Sequence, residues 1–151
     1  MRYPVTLVTH EIVPVSTRRT VVRLDEKKAA AKTARWQTIA EAAAKQSKRA
    51  VIPKVREAVS FSEAMKEADR LDLVLIPYEC ADDMEGTKKI LSEIRRGCAV
   101  GVFIGPEGGF EKEEVEEAVR HGAKPVTLGK RILRTETAAI TMLSILMFQL
   151  S

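Results

Sequence analysis

The sequence predicts an α/β domain: a parallel sheet with helices on both faces. Two observations carry this. Short β-branched or apolar runs alternate with segments of helical character along the chain, the pattern of strand–crossover–strand units. Three of the runs, Leu71–Pro77, Cys98–Ile104 and Pro125–Leu128, are continuously apolar, as expected of strands covered on both sides.

Taken in order, Tyr3–Val8 and Glu11–Val15 read as short strands. Asp25 is placed to cap a long helix reaching about Ser47, with Trp36, Ile39, Ala40, Ala43 and Ala44 recurring as one apolar stripe. Val51–Val55 is a short strand interrupted by Pro53, and Ser62–Ala68 a short helix. Leu71–Pro77 is the first buried strand. A helix over Met84–Arg96 stops at Gly97, and Cys98–Ile104 is the second buried strand. A helix over Glu111–His121 stops at Gly122, and Pro125–Leu128 is the third. The loop Gly129–Arg134 then leads to a final helix from about Thr135 to Leu150.

A length of 151 residues suits one domain with its own core, and 45% apolar against 30% charged residues is ordinary for a globular protein. No apolar run is long enough to cross a bilayer, and the N-terminus lacks the layout of a signal peptide. A cytoplasmic protein is expected. The formal net charge is +4, with cations crowded between Arg18 and Arg56 and an acidic stretch over Glu107–Glu117. That asymmetry fits either a basic surface for nucleic acid or a solvated helix face. Cys80 and Cys98 have no metal-ligand spacing and read as reduced, buried structural thiols. His10 and His121 read as surface or capping residues. No metal site is expected, and no Ser-His-Asp arrangement is recognisable.

In a sheet of this kind ligands sit beyond the carboxyl ends of the strands. Three loops hold that position: Pro77–Glu79, Gly105–Gly109 and Gly129–Arg134. The second, within Ile104-Gly105-Pro106-Glu107-Gly108-Gly109-Phe110, is a narrow backbone-lined turn. It lacks the spacing of a dinucleotide fingerprint and the Lys-Ser or Lys-Thr pair of a P-loop. Glu111, Glu113 and Glu114 open the next helix and would repel a phosphate. A ligand without phosphate fits better, and S-adenosylmethionine, with its sulfonium cation, qualifies; a purely structural turn is the alternative. The final helix is apolar almost all round, so it must be buried on more than one side. An oligomer interface or an intramolecular core would each serve. Arg18 and Arg19, directly after a strand, suit phosphate contacts, as does Arg49 after the long helix.

GPEGGF followed by an acidic helix, then LGKRILRTETAAI about twenty residues on, resembles the RsmE family. Those enzymes are bacterial methyltransferases of uridine N3 in 16S ribosomal RNA, within the SPOUT superfamily. EIVPVSTRRTVVRLD and RWQTIAEAAAKQSKR resemble the family's upstream motifs, so the likeness runs through nearly the whole chain in order. The resemblance implies a SPOUT methyltransferase domain over residues 1–151 with a C-terminal trefoil knot, a homodimer packed through the knot, and S-adenosylmethionine bound by the knot loops. By position, Ile76 and Pro77 fall in the first cofactor loop. Ile104, Gly105, Glu107, Gly108 and Gly109 fall in the second. Leu128, Gly129, Ile132, Leu133 and Thr137 fall in the third. Arg19 and Arg49 match RNA-binding positions, and Arg134 and Glu136 match catalytic ones. The expected partner is 16S ribosomal RNA or the small ribosomal subunit.

Two departures stand out. The family's N-terminal RNA-binding β-barrel of the PUA type is not expected within residues 1–151. The family also carries a helix between its first two strands, whereas here Val8 runs straight into Thr9. Parallel strands need a crossover of about a dozen residues, so either the helix has been lost or a stretch of chain separates those two residues. For the chemistry, an Arg near the uracil oxygens would stabilise the anion formed when N3 loses its proton, a role suited to Arg134. Glu136 would orient that Arg or take the proton, or else serve the helix dipole. The rival readings are a SPOUT enzyme for transfer RNA or 23S ribosomal RNA, and a non-catalytic RNA-binding module with a vestigial cofactor site.

Overall fold

A computed structural model describes residues 9–19, 25–81 and 83–151. The expected first strand, Tyr3–Val8, and the Val8–Thr9 junction lie outside them. The strands are β1 Glu11–Ile12, β2 Val15–Ser16, β3 Lys54–Val55, β4 Val59–Ser60, β5 Leu73–Pro77, β6 Val100–Val102 and β7 Lys124–Val126. The helices are α1 Glu26–Gln46, α2 Phe61–Ala68, α3 Met84–Ser92, α4 Lys112–Arg120 and α5 Thr135–Leu150. Every pairing among the described residues is parallel: β1 with β3, β2 with β4, and a three-stranded sheet ordered β6-β5-β7.

β5 organises the core because its side chains alternate between two helical layers. Val74 and Ile76 pack with Phe61, Met65 and Ala68 of α2 and with Val115 and Ala118 of α4. Leu73 and Leu75 turn to the opposite layer, with Leu91 of α3 and with Met142 and Leu146 of α5. A continuously apolar strand is therefore covered on both faces, as its composition requires. A third cluster lies under α1, where Ala40, Ala43 and Trp36 meet Ile12 and Val55.

Several boundaries differ from the sequence expectation for identifiable reasons. The single strand expected over Glu11–Val15 is two short ones, separated at Val13 and Pro14, since Pro14 has no N–H to continue the ladder. Of Val51–Val55 only Lys54 and Val55 pair in a strand. Gln37 of α1 takes over the neighbouring backbone groups, donating to the Pro53 carbonyl (3.1 Å) and accepting from the Val55 N–H (2.8 Å). α2 starts one residue early because Ser60 forms a capping box with Glu63. α3 stops at Ser92 and not Arg96, as the chain tightens into turns with Glu93 N–H to Ile90 and Ile94 N–H to Leu91. β6 and β7 are also shorter than expected; β7 ends where the Thr127 N–H leaves the sheet for the Thr87 hydroxyl (3.1 Å). Both cysteines are exposed, which corrects the expectation of buried thiols: Cys80 and Cys98 stand outside strands and helices, in loops at opposite ends of the sheet.

Candidate active site

The order β6-β5-β7 means that the chain leaves β5 to one side for β6 and then crosses to the other side for β7. Such a reversal opens a crevice at the carboxyl ends of the strands. The segments that follow β5, β6 and β7 surround one cavity of about 330 Å³ there, at the lower end of the range for small-molecule sites. Pro77, the last residue of β5, with Tyr78 and Glu79 just after it makes the first side, Gly105 to Phe110 the second, and Thr127 to Gly129 with Arg131, Ile132 and Leu133 the third; Thr135 and Ala138 of α5 close it. The wall is mostly backbone and apolar side chain. Its charges are two carboxylates, Glu79 and Glu107, and one guanidinium, Arg131. This suits a ligand with cationic and apolar parts better than one with phosphates.

The glycine turn is compact for a structural reason. Gly109 has φ +73°, a conformation that costs an L side chain energy, and its N–H donates to the Pro106 carbonyl (2.7 Å). A Cβ on Gly105 would come within 3.2 Å of the Phe110 nitrogen and 3.3 Å of the Gly109 carbonyl carbon. Behind the turn, Phe110 packs against Phe61 with ring centroids 5.8 Å apart. The turn is also held from outside. Arg19 Nε donates to Glu111 (2.7 Å), and its Nη1 donates to the Gly108 carbonyl. The Glu111 N–H donates to one oxygen of Glu114 (2.9 Å), and the Arg18 N–H to the other (3.3 Å). Glu114 is buried, with 5% of its surface exposed. The Arg19 contact holds the Glu111 carboxyl below its usual range. Tyr78 also lines the cavity, and the neighbouring Cys80 side chain pushes its phenol above the ordinary value.

On the third side, the Thr135 hydroxyl donates to the Gly105 carbonyl (3.2 Å), tying the start of α5 to the glycine turn. Arg134 is the N-cap residue of α5 and Glu136 lies in its first turn, both exposed.

Of the residues singled out from the sequence, Pro77, Gly105, Glu107, Gly108, Gly109, Leu128, Gly129, Ile132 and Leu133 line this cavity. Ile76, Ile104, Thr137, Arg134 and Glu136 do not line it. Ile76 belongs to β5 and not to the loop after it, and its side chain is fully buried in the core. Arg19 braces the glycine turn. Arg49 lies past α1 and donates to the Thr9 carbonyl (2.9 Å). Tyr78, Glu79, Pro106 and Arg131 line the cavity as members of the three loops expected to hold a ligand, without having been named individually as cofactor-binding, and Phe110, Thr127, Thr135 and Ala138 line it from outside those loops. For Tyr78 and Glu79 the available signal was membership of the loop after β5. Among the described residues no group of three or more His, Cys, Asp or Glu is placed to hold a metal ion, and no helix is long and apolar enough to cross a membrane.

Comparison with known proteins adds three findings. The family model of the RNA methyltransferase domain matches residues 4–147. The chain is 36% identical over 143 residues to ribosomal RNA small subunit methyltransferase E of Bacillus subtilis, covering 93% of this chain and 56% of that protein. It is also 36% identical over 113 residues to the protein of the same name from Mesomycoplasma hyopneumoniae, covering 75% and 47%. The chain thus spans about half the length of these curated relatives. Among solved structures, a ribosomal RNA small subunit methyltransferase E from Neisseria gonorrhoeae bound to S-adenosyl methionine superimposes with a TM-score of 0.80 at 32% identity, covering 97% of this chain and 57% of that one.

Proposed function

This chain belongs to the RNA methyltransferase domain family, and from that premise we propose that it is an S-adenosylmethionine-dependent methyltransferase of 16S ribosomal RNA acting on uridine N3. The observation that carries the reading is the cavity at the strand ends. Three loops meet there around a backbone-lined turn with no phosphate cradle and two carboxylates on its wall. That composition fits a sulfonium-bearing nucleoside: apolar walls for adenine, backbone groups for its polar edge, and negative charge toward the cation. The relatives described above are named as methyltransferases of small-subunit ribosomal RNA, and the one from Neisseria gonorrhoeae is solved with S-adenosyl methionine.

When bound, the cofactor would supply an electrophilic methyl group. This chain's part is to place N3 and free it of its proton. We assign the polarising role to Arg134, whose guanidinium would stabilise the charge that develops on the uracil oxygens. Glu136 would orient Arg134 or accept the N3 proton. Both flank Thr135, which lines the cavity. The N3 proton would stay on the base while Arg134 holds the uracil oxygens and N3 accepts the methyl group.

The finer parts of the reading are proposals on the same footing. Residues 1–151 form one SPOUT methyltransferase domain whose second and third loops enclose a trefoil knot; the Thr135–Gly105 hydrogen bond supports that arrangement. The enzyme works in the cytoplasm, where ribosomal RNA is found, and as a homodimer. The deciding experiment incubates the protein with methyl-labelled S-adenosylmethionine and small-subunit ribosomal RNA, then maps the label. Label on N3 of a single uridine is expected. Label on a ribose or on another RNA would overturn the substrate assignment, and no transfer with no cofactor binding would overturn the activity.

A further inference from the structure

We propose that Arg19 is a positioning residue for the cavity, fixing the orientation of the glycine turn that forms one wall, and not a contact for RNA phosphate. The inference deepens the cofactor reading above and rests on it for the identity of the ligand.

The argument begins with one peptide group. In a trans peptide the C=O and N–H point to opposite sides of a rigid plane. The Gly108–Gly109 peptide is held at both ends: Arg19 Nη1 donates to the Gly108 carbonyl, and the Gly109 N–H donates to the Pro106 carbonyl (2.7 Å). Two bonds on opposite edges fix the plane. Without the first, a pair of adjacent glycines has several backbone states open to it, because glycine takes positive and negative φ almost equally. Each state would present a different face of the turn to the ligand.

The rest of Arg19 is committed to the same segment. Its Nε is bonded to Glu111 (2.7 Å), immediately before α4. Its Cδ lies 3.2 Å from where a Gly108 Cβ would be, so the aliphatic stem rests against the turn. The preceding residue joins in through its backbone, since the Arg18 N–H donates to Glu114 (3.3 Å), which also receives the Glu111 N–H (2.9 Å). The end of the β2 segment and the start of α4, some 90 residues apart in sequence, thus form one closed hydrogen-bonded unit around the turn. A planar guanidinium with donors in a fork can bridge a carboxylate and a carbonyl at once; an ammonium on a flexible stem cannot hold both in one geometry. A phosphate could reach only the Nη2 and remaining Nη1 N–H groups, on a guanidinium whose charge Glu111 already offsets.

The test uses the ligand-free full chain first. Hydrogen–deuterium exchange across residues 105–111 should speed up severalfold in Arg19→Ala and in Glu111→Gln, with exchange over β5 unchanged. Kinetics follow with S-adenosylmethionine and ribosomal RNA. The cofactor KM should rise about three- to tenfold, a modest effect because the contact is solvent-accessible, while the RNA KM holds. Arg19→Lys should restore little of either. Exchange over 105–111 equal to wild type in both variants would overturn the inference, as would an RNA KM that rises while the cofactor KM does not. If wild type fails to bind S-adenosylmethionine, the functional reading falls, yet the exchange measurement still decides the role of Arg19.

Discussion

Gly109 and Gly97 make a controlled pair at the scale of the residue. Both have positive φ, +73° and +90°, so a valine at either should destabilise the fold by about 1–2 kcal/mol. They differ in what they face. Gly109 lines the cavity, with Glu79 Oε1 and Arg19 Nη1 at 3.9 and 4.0 Å from its notional Cβ, whereas Gly97 has nothing within 4 Å and ends the turn after α3. Gly109→Val should therefore weaken S-adenosylmethionine binding by more than about tenfold, and Gly97→Val should leave it unchanged at equal thermal stability. Calorimetry on both variants checks this; equal affinities would detach the ligand from the turn. The glycines were legible in the sequence because chirality makes them local signals. Tyr78, Glu79 and Arg131 were legible only as members of the loops expected at the strand ends, and Thr135 not at all, because nothing in their immediate neighbours marks them. They reach the cavity only through the places where β5 and β7 end. The partnership of Arg19 with Glu111 is likewise invisible to a local pattern. The two exposed cysteines show the limit of a residue-type average: it describes cysteines in general and not these loops.

The elements themselves were readable where a single physical rule dominates. The apolar run of β5 announced burial on both faces, and its alternate side chains do enter two separate clusters. Boundaries were less readable, since they depend on a partner from elsewhere: Gln37 at β3, Thr87 at β7, Ser60 at α2. The α2 region carries a pH prediction. Hydrogen bonds from Ser60 hold Glu63 below the ordinary glutamate range, and Arg56, donating to Glu67 (2.9 Å), does the same for that residue. Both carboxylates are thus more acidic folded than unfolded. Their contribution is complete above the unfolded value of about 4.3 and is lost as pH falls through the folded values. Urea midpoints measured from pH 6 down to pH 3 should hold level at first and then decline below about pH 4.5. Because both groups are exposed, the loss is shallow. Glu67→Gln should be less stable than wild type at pH 6, and the gap should narrow toward pH 3. A gap that widens on acidification would contradict the assignment.

For the whole molecule, α5 poses a problem that one chain does not solve. Its sequence is apolar almost all round, yet among its residues only Met142 and Leu146 are buried, while Ile140 is half exposed and Phe148 is 86% exposed. Ile132, in the loop before the helix, is 82% exposed and lines the cavity as well. Exposed apolar side chains of this size are costly to leave in water. A second copy of the chain would cover them, since a twofold axis brings the same patch against itself. The proposed dimer would bury this surface and would also wall the cavity beside Ile132, which links assembly to ligand binding. Sedimentation equilibrium at micromolar concentration should find a dimer for wild type. A buried aromatic anchor at such an interface is worth about 2 kcal/mol or more, so Phe148→Glu should raise the dimer dissociation constant by at least about thirtyfold. Ile140→Glu should act in the same direction. If assembly completes the cavity, these variants should weaken S-adenosylmethionine binding while circular dichroism shows the fold intact. A wild-type chain that is monomeric at these concentrations, yet binds the cofactor, would show that α5 and the cavity need no partner.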